Sequence, residues 1–321
     1  MTRMAKLPIE AREDTARVRT GLRVTVLAGG PSAEREVSLE SGAAVADALA
    51  RLGHTVEIRD IDSADLSALD VPADFVFIAL HGAFGEDGQV QELLAGRGLA
   101  FCGSDAASSA LAMNKAATKA RFTEAGIPTP RYTVVRRDRE HVQPAGQELP
   151  VVIKPVSSGS SVDTYIVRNE ATFTSSLERV LERHEAALIE RYIEGPELTV
   201  GVLGHRSLPV CQIRTRRAFY DYQAKYVDDD TEYLFDIDLP VALLQRVGEL
   251  SVRAHRVLGC RDFSRVDWMV DAVTLEPYVL EVNTIPGFTS HSLLPKAAAR
   301  MRMSFDELCQ RIIDLGLDRR G

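Results

Sequence analysis

Cysteine is scarce and scattered: Cys102, Cys211, Cys260 and Cys309 are the only four in 321 residues, and no two form a CxxC pair. Neither a zinc site nor a disulfide framework has the spacing it needs. A reducing compartment, the cytoplasm, suits such a chain. Long apolar runs are also missing. No stretch nears the roughly 20 apolar residues of a membrane-crossing helix. The opening MTRMAKLPIEAREDTARVRTG lacks the apolar core of a secretory signal. Positive charge is in deficit, with 38 Lys and Arg against 46 Asp and Glu, a formal net charge of −8. A chain without a basic footprint is not a general nucleic-acid binder, although a local anion site remains open to it.

Several catalytic signatures are absent too. There is no GxxxxGK[ST], so this is no P-loop enzyme. No GxGxxG follows a strand, and Gly82-Ala-Phe-Gly85-Glu-Asp-Gly88 has the wrong spacing for a nicotinamide fold. HExxH and GxSxG are missing, which removes the commonest metalloprotease and serine-hydrolase readings.

What is present is ordinary soluble composition, 45% hydrophobic and 26% charged. At roughly 100–200 residues per domain, the length predicts two or three domains. Residues 1–21 alternate charges without an apolar period and read as an extension. Strands are expected at 22–28, 54–59 and 74–80, with helices at 33–52, 89–95 and 106–125. That alternation predicts a parallel α/β layer over 22–112. Gly126-Ile-Pro-Thr-Pro130 punctuates the chain. Strands at 131–135, 149–154, 164–167 and 187–192, with a helix at 172–183, predict a small α+β unit over 113–195. A third unit, 196–321, holds strands at 197–203, 208–214, 265–270 and 278–282 and helices at 241–258 and 304–315. The polar, aperiodic stretch near 216–232 is long for a compact domain and reads as a lid.

The most informative residues lie near the C-terminus. Strand side chains two apart share a face, so Arg265 projects with Asp267, and Glu281 with Asn283. Two neighbouring strands then present a guanidinium, two carboxylates and an amide. The three oxygen donors are hard ligands that suit magnesium, with water and phosphate completing its shell. The plainer alternative is a solvated edge strand, but Val266, Trp268, Met269, Val270, Val279 and Leu280 beside them look buried. The following turn, Thr284 to Ser292, is rich in N–H and hydroxyl donors that can hold a carboxylate or an oxyanion.

Together with these residues, five motifs carry a resemblance. They are Gly29-Gly-Pro-Ser-Ala-Glu-Arg-Glu-Val-Ser38, His81-Gly-Ala-Phe-Gly-Glu-Asp-Gly88, Lys154-Pro-Val-Ser-Ser-Gly-Ser-Ser161, Tyr220-Asp-Tyr-Gln-Ala-Lys-Tyr226 and Glu281-Val-Asn-Thr-Ile-Pro-Gly-Phe-Thr-Ser-His-Ser292. The chain resembles the D-alanine–D-alanine ligases of the ATP-grasp superfamily from about Leu22 to Leu315. The resemblance implies an N-terminal parallel α/β domain, a small central domain and a C-terminal ATP-grasp domain. It implies ATP-dependent joining of two D-alanine molecules through a D-alanyl phosphate, for peptidoglycan precursors. Its metal would be magnesium, two ions, replaceable by manganese. Family members are often dimeric, so a homodimer is compatible with it.

The resemblance also assigns roles. Glu34 anchors the first D-alanine's ammonium, and its plain alternative is a first-turn acid favoured by the helix dipole. Ser160 links Glu34 to the lid residue Tyr226. Arg265 and the Gly287 N–H hold the oxyanion. His81, Ser292 and Leu293 bind substrate; for His81 the alternative is a half-buried hydrogen-bonded histidine. Lys115, Lys154, Gly159, Ser161 and Lys225 serve the ATP phosphates, and Glu190, Tyr192, Ile193 and Glu197 the adenosine. Asp267, Glu281 and Asn283 hold the metal.

Three positions depart from the family pattern. Asp163 replaces a glycine and points charge at phosphate territory unless it turns away. Gln223 replaces a glutamate, and Phe235-Asp236-Ile237 lacks a Pro-Ala. Two other readings compete: a D-alanine–D-lactate ester ligase, against which Tyr226 speaks because histidine is common there, and a non-catalytic nucleotide-binding regulator, which need not keep Arg265.

Overall fold

A computed structural model describes residues 19–138, 148–215, 231–289 and 291–319. Three β-strands, β1 (Arg23–Leu27), β2 (Thr55–Arg59) and β3 (Phe75–Ile78), form the first sheet. It is parallel, in the order β2-β1-β3. Four-residue runs in β1 and β3, apolar but for Thr25, are buried throughout, as expected of strands covered on both faces. Helices α1 (Arg35–Arg51) and α2 (Gln89–Gly96) follow strands of this layer. The expected alternation is therefore present. Its core also takes in Leu308, Ile312 and Ile313 from the last helix, α8 (Phe305–Asp318), which packs on α1 and β3. Ser304 and Glu307 start that helix with a reciprocal capping box.

The helix expected over 106–125 is two helices, α3 (Ala106–Met113) and α4 (Lys115–Glu124). Asn114 breaks it. Its backbone is extended, at φ −89° and ψ 95°, and its side chain accepts from the Ala117 N–H. Asn favours this capping role over a mid-helix place. Lys115 thus opens a helix, and its N–H donates to the Val156 carbonyl.

The second sheet is antiparallel, in the order β4-β7-β5-β6: β4 (Tyr132–Arg136), β5 (Val151–Pro155), β6 (Tyr165–Val167) and β7 (Ala186–Arg191). Helix α5 (Glu170–Arg183), capped by Asn169, covers it with Phe173, Leu177 and Val180. It begins two residues before the expected Thr172.

The third sheet contains β8 (Glu197–Leu203), β9 (Arg206–Ser207), β10 (Cys211–Arg214), β11 (Glu232–Leu234), β12 (Phe263–Val270) and β13 (Pro277–Asn283). Its main order is β11-β10-β8-β12-β13, with β9 on β8. Helix α6 (Val241–Val257) packs Val247, Leu250 and Ala254 against its inner face. Trp268 is fully buried there and donates from Nε1 to Ser251 Oγ at 2.9 Å. Elements not expected from the sequence are β9, the three-residue β11, α7 (Leu293–Arg300) and a single 3-10 turn at Ser67–Leu69. The strand expected at 208–214 is present only as β10, from Cys211, and the short β9 lies before it.

Between β12 and β13 the register slips once. Arg265 faces Asn283 and Asp267 faces Glu281, but Trp268 faces Val279, leaving Leu280 as an extra residue. This β-bulge lets Leu280 and Glu281, adjacent in sequence, both line the same cavity, while Val279 and Val282 stay in the core. Met269 and Leu280, expected to be buried, are half-buried cavity residues: Met269 shares the β12 face of Asp267, and the bulge turns Leu280 to the cavity.

Candidate active site

A cavity of about 360 Å³ is lined from both antiparallel sheets, within the range of small-molecule sites. Val152, Ile166, Met269 and Leu280 give it apolar walls. Lys154, Glu190, Tyr192, Ile193 and Glu197, all singled out from the sequence, stand around it with Ser161 and Asp267. A second pocket of about 50 Å³ is lined by Glu34, Ser160, Arg265 and Asn283. The two share Lys115, Ser158, Gly159 and Glu281. One continuous cleft therefore gathers residues from 34 to 283.

The loop after β5 forms the junction. Ser160 and Ser161 both adopt left-handed φ, 52° and 57°, a conformation that costs a non-glycine residue roughly 1–2 kcal/mol. Contacts hold the loop in place. The Ser160 hydroxyl donates to Glu34 Oε1 across the cleft. Lys115 Nζ donates to the Ser158 carbonyl at 2.5 Å and lies 3.3 Å from Glu281 Oε2. Glu34 itself sits at the N-cap of α1 without capping it. Gly82, at φ 70°, makes room for it: an added Cβ would lie 2.9 Å from Glu34 Oε2.

Asp163 turns away from the cleft. Its carboxylate lies 2.8 Å from His184 Nε2 and 3.2 Å from an Arg183 nitrogen. Its φ of 52° also accounts for glycine as the family's usual residue there. Phe235, at another departure, packs its ring under the Arg300 guanidinium, 4.8 Å away.

On β12, Arg265 grips Asp267 with two hydrogen bonds, Nε to Oδ1 at 2.9 Å and Nη2 to Oδ2 at 2.7 Å. Thr199 of β8 donates to Asp267 Oδ1 at 2.6 Å. Asn283 Oδ1 accepts from the Ile285 N–H at 2.9 Å. Among the described residues, no cluster of three or more His, Cys, Asp or Glu can hold a metal alone. Two carboxylates and an amide on facing strands make a partial shell of hard oxygens. That fits magnesium, which keeps water and phosphate oxygens as its other ligands.

His81 lies just behind the cleft. It is 4% exposed and lines neither pocket. Its Nδ1 meets the Ile285 carbonyl at 3.1 Å and Glu86 Oε1 at 3.4 Å, and its Nε2 meets Ser41 Oγ at 3.3 Å. Ser41 also accepts from the Phe288 N–H. The histidine thus ties the Thr284–Ser292 turn to α1. Glu86, which lines the small pocket, was not singled out from the sequence although it stands in the His81–Gly88 motif. Burial pushes its carboxyl above the ordinary value, the His81 hydrogen bond opposes this, and the Glu34 charge adds to it.

In the turn, Ser292 Oγ accepts from the Thr289 N–H at 2.9 Å. A Cβ at Gly287 would come within 2.6 Å of that hydroxyl. Leu293 is buried with Cys211 and Ile213. Gly287, Ser292 and Leu293 line neither pocket. Lys225 and Tyr226, with most of the expected lid, lie outside the described residues. All four cysteines are buried thiols.

Comparison with known proteins agrees with this architecture. The family model described as "D-ala D-ala ligase C-terminus" matches residues 122–314. The D-alanine–D-alanine ligase of Syntrophotalea carbinolica is 43% identical over 294 residues, covering 91% of this chain and 95% of that one. That of Marinobacter nauticus is 44% identical over 294 residues, covering 91% and 90%. Among solved structures, the Bacillus anthracis D-alanine–D-alanine ligase complexed with ATP superposes with a TM-score of 0.80 at 33% identity, covering 94% of this chain and 99% of that one. The D-Ala:D-Ser ligase of Enterococcus faecalis does so with a TM-score of 0.83 at 28% identity, covering 92% and 100%. The chain belongs to the D-alanine–D-alanine ligase family and has its ATP-grasp fold.

Proposed function

We propose that this protein joins two D-alanine molecules to D-alanyl-D-alanine at the expense of ATP, for peptidoglycan precursors made in the cytoplasm. The observation that carries this is the junction of the two pockets: a nucleotide-sized cavity opens at Lys115, Gly159 and Glu281 onto a small pocket walled by Glu34 and Arg265.

Adenosine occupies the apolar end, beside Glu190, Tyr192, Ile193 and Glu197. The phosphates extend toward Lys115, Lys154 and the Gly159–Ser161 loop, whose donors and cations offset their charge. Glu34 receives the ammonium of the first D-alanine. That substrate's carboxylate attacks the γ-phosphorus, the bond to ADP oxygen breaks, and an acyl phosphate forms. The second D-alanine's deprotonated amine attacks the acyl carbon. Arg265 and the Gly287 N–H receive the charge on the tetrahedral oxygen, and phosphate leaves as the peptide bond closes. Ser292 and Leu293 hold the second carboxylate. Asp267, Glu281 and Asn283 hold magnesium, two ions in the family pattern, which when bound screens the phosphate charge. Lys225 and Tyr226 keep the roles implied by the family resemblance, closing the cleft so that water does not consume the acyl phosphate.

The test is phosphate release with ATP and D-alanine, alone and against equal D-lactate or D-serine, with the products identified by mass. D-alanyl-D-alanine, ADP and phosphate in equal amounts are expected. Mostly ester or mostly D-alanyl-D-serine would reassign the second substrate. No turnover despite ATP binding would favour a regulator.

A further inference from the structure

Lys119 has no part in the reaction above, yet it is fully buried beside the cleft, with 0% of its side chain exposed. It lies four residues beyond Lys115 on α4, so both face the same side of that helix. Its ammonium stands 2.8 Å from Glu190 Oε2, donates to Thr129 Oγ1 at 2.7 Å and lies 5.6 Å from the centre of the Tyr132 ring. Thr129 passes its own proton on to the Val279 carbonyl at 2.8 Å. The other oxygen of Glu190, Oε1, is taken by Lys154 Nζ at 2.5 Å. One buried carboxylate thus carries two lysines, of which Lys154 lines the large cavity and Lys119 does not.

This arrangement has a consequence for nucleotide binding. A lysine committed to a carboxylate cannot also neutralise a phosphate. If Lys154 swings toward phosphates, Glu190, 2% exposed, must keep another partner, because stripping a buried charge of its only counter-ion is strongly unfavourable. Lys119 is placed to be that partner, with its remaining contacts anchored to Thr129 and Tyr132. Lys154 has a flexible stem and a compact charge suited to changing partners. We propose that Lys119 is the standing counter-ion of Glu190, and that its presence releases Lys154 from Glu190 to the phosphates of a bound nucleotide. Lys119 is then a positioning residue. The role rests on reading the large cavity as the ATP site. The charges are consistent with it: burial brings the Lys119 pKa down to about 8 with the Glu190 charge opposing. Burial works against ionisation of Glu190, but the two ammoniums outweigh it and hold its pKa below the ordinary carboxylate value.

The test compares ATP with adenosine, which shares the base and ribose but has no phosphates, by calorimetry in magnesium buffer. In Lys119→Met, Lys154 is, among the described residues, the one cation left paired with Glu190, and it stays there. ATP affinity is expected to fall roughly 10- to 100-fold, the scale of a lost charge-assisted hydrogen bond, while adenosine affinity changes by less than about threefold. Adding Glu190→Gln removes the carboxylate that detains Lys154 and restores the ATP-to-adenosine ratio, even if both affinities drop. Thr129→Val, a milder change, shifts the ratio in the same direction and replaces Lys119→Met should that variant fail to fold. Equal losses for both ligands, or a ratio that Glu190→Gln does not restore, would overturn the counter-ion role and leave the nucleotide reading intact. Wild-type protein that binds neither ligand would overturn both.

Discussion

The Ser160 hydroxyl donates to Oε1 of Glu34, a residue 126 positions earlier and in another layer of the fold. It is the direct side-chain link between the phosphate-side loop and the carboxylate proposed to hold the first substrate.

That link predicts a coupled pair. Ser160→Ala and Glu34→Gln should each raise the D-alanine KM and lower kcat/KM. Combined, they should cost less than the sum of the two, with a coupling of about 1–3 kcal/mol for a hydrogen bond to a charged group. A double-mutant cycle on kcat/KM measures it, and strict additivity would show that the contact has no part in turnover.

Arg265 is predicted to act on the developing oxyanion. Arg265→Ala should lower kcat roughly 10²–10³-fold, as for a lost oxyanion donor, with ATP binding largely kept. The variant also strips Asp267 of the two hydrogen bonds from Arg265, leaving that from Thr199, so a thermal melt must accompany the kinetics. A loss confined to nucleotide affinity would place Arg265 at the phosphates alone.

Asp267→Asn keeps the shape but removes a charge from a partial metal shell. Turnover should fall and the magnesium needed for half-maximal rate should rise. A magnesium titration superimposable on wild type would remove Asp267 from the metal site.

Stability should carry a histidine signature unrelated to catalysis. His255 is buried, with Nδ1 2.7 Å from Ser264 Oγ. Burial lowers its pKa from 6.5 to about 4, and the His205 and Arg256 charges add to this. Above pH 6.5 it is neutral folded or unfolded, and its contribution is complete. As pH falls from 6.5 toward 4 the unfolded chain takes the proton and the native one does not, so up to about 3 kcal/mol is lost. Asp262 works in the opposite sense, since burial raises its pKa to about 6. The comparison of urea midpoints for wild type and His255→Asn isolates the histidine: the variant should lose less stability over that interval.

Much of this was legible in the sequence, and the reasons for the gaps are physical. Buried runs such as Val24–Leu27, apolar but for Thr25, and Phe75–Ile78 announce central strands, because burial on both faces favours near-continuous apolar side chains. Arg265, Asp267, Glu281 and Asn283 were found from strand alternation alone, within each strand. Their alignment across strands depends on the slip at Leu280, and nothing in the residue types there announces a bulge. The break at Asn114 did leave a signal, a capping residue amid helix formers, but apolar periodicity runs through it. Lys119 was hidden because a buried lysine contradicts ordinary patterning, and only the position of Glu190, 71 residues along the chain, makes it reasonable. His81 was noticed for the right motif, yet its contacts point inward, toward Ile285, Ser41 and Glu86.

The slip at Leu280 makes the β12–β13 hairpin a matter of parity. Had the register of Trp268 opposite Val279 run on unbroken, Asp267 would have met Leu280 and Arg265 would have met Val282. Glu281 and Asn283 would then have turned into the tryptophan core. Whole pairs of residues can be inserted or lost between the bulge and Asn283 without exchanging inside for outside, but a single one cannot. Deleting Leu280 itself should erase the bulge yet keep Glu281 opposite Asp267 and Asn283 opposite Arg265, whereas losing Val282 alone should turn Asn283 into the core and part it from the other proposed ligands.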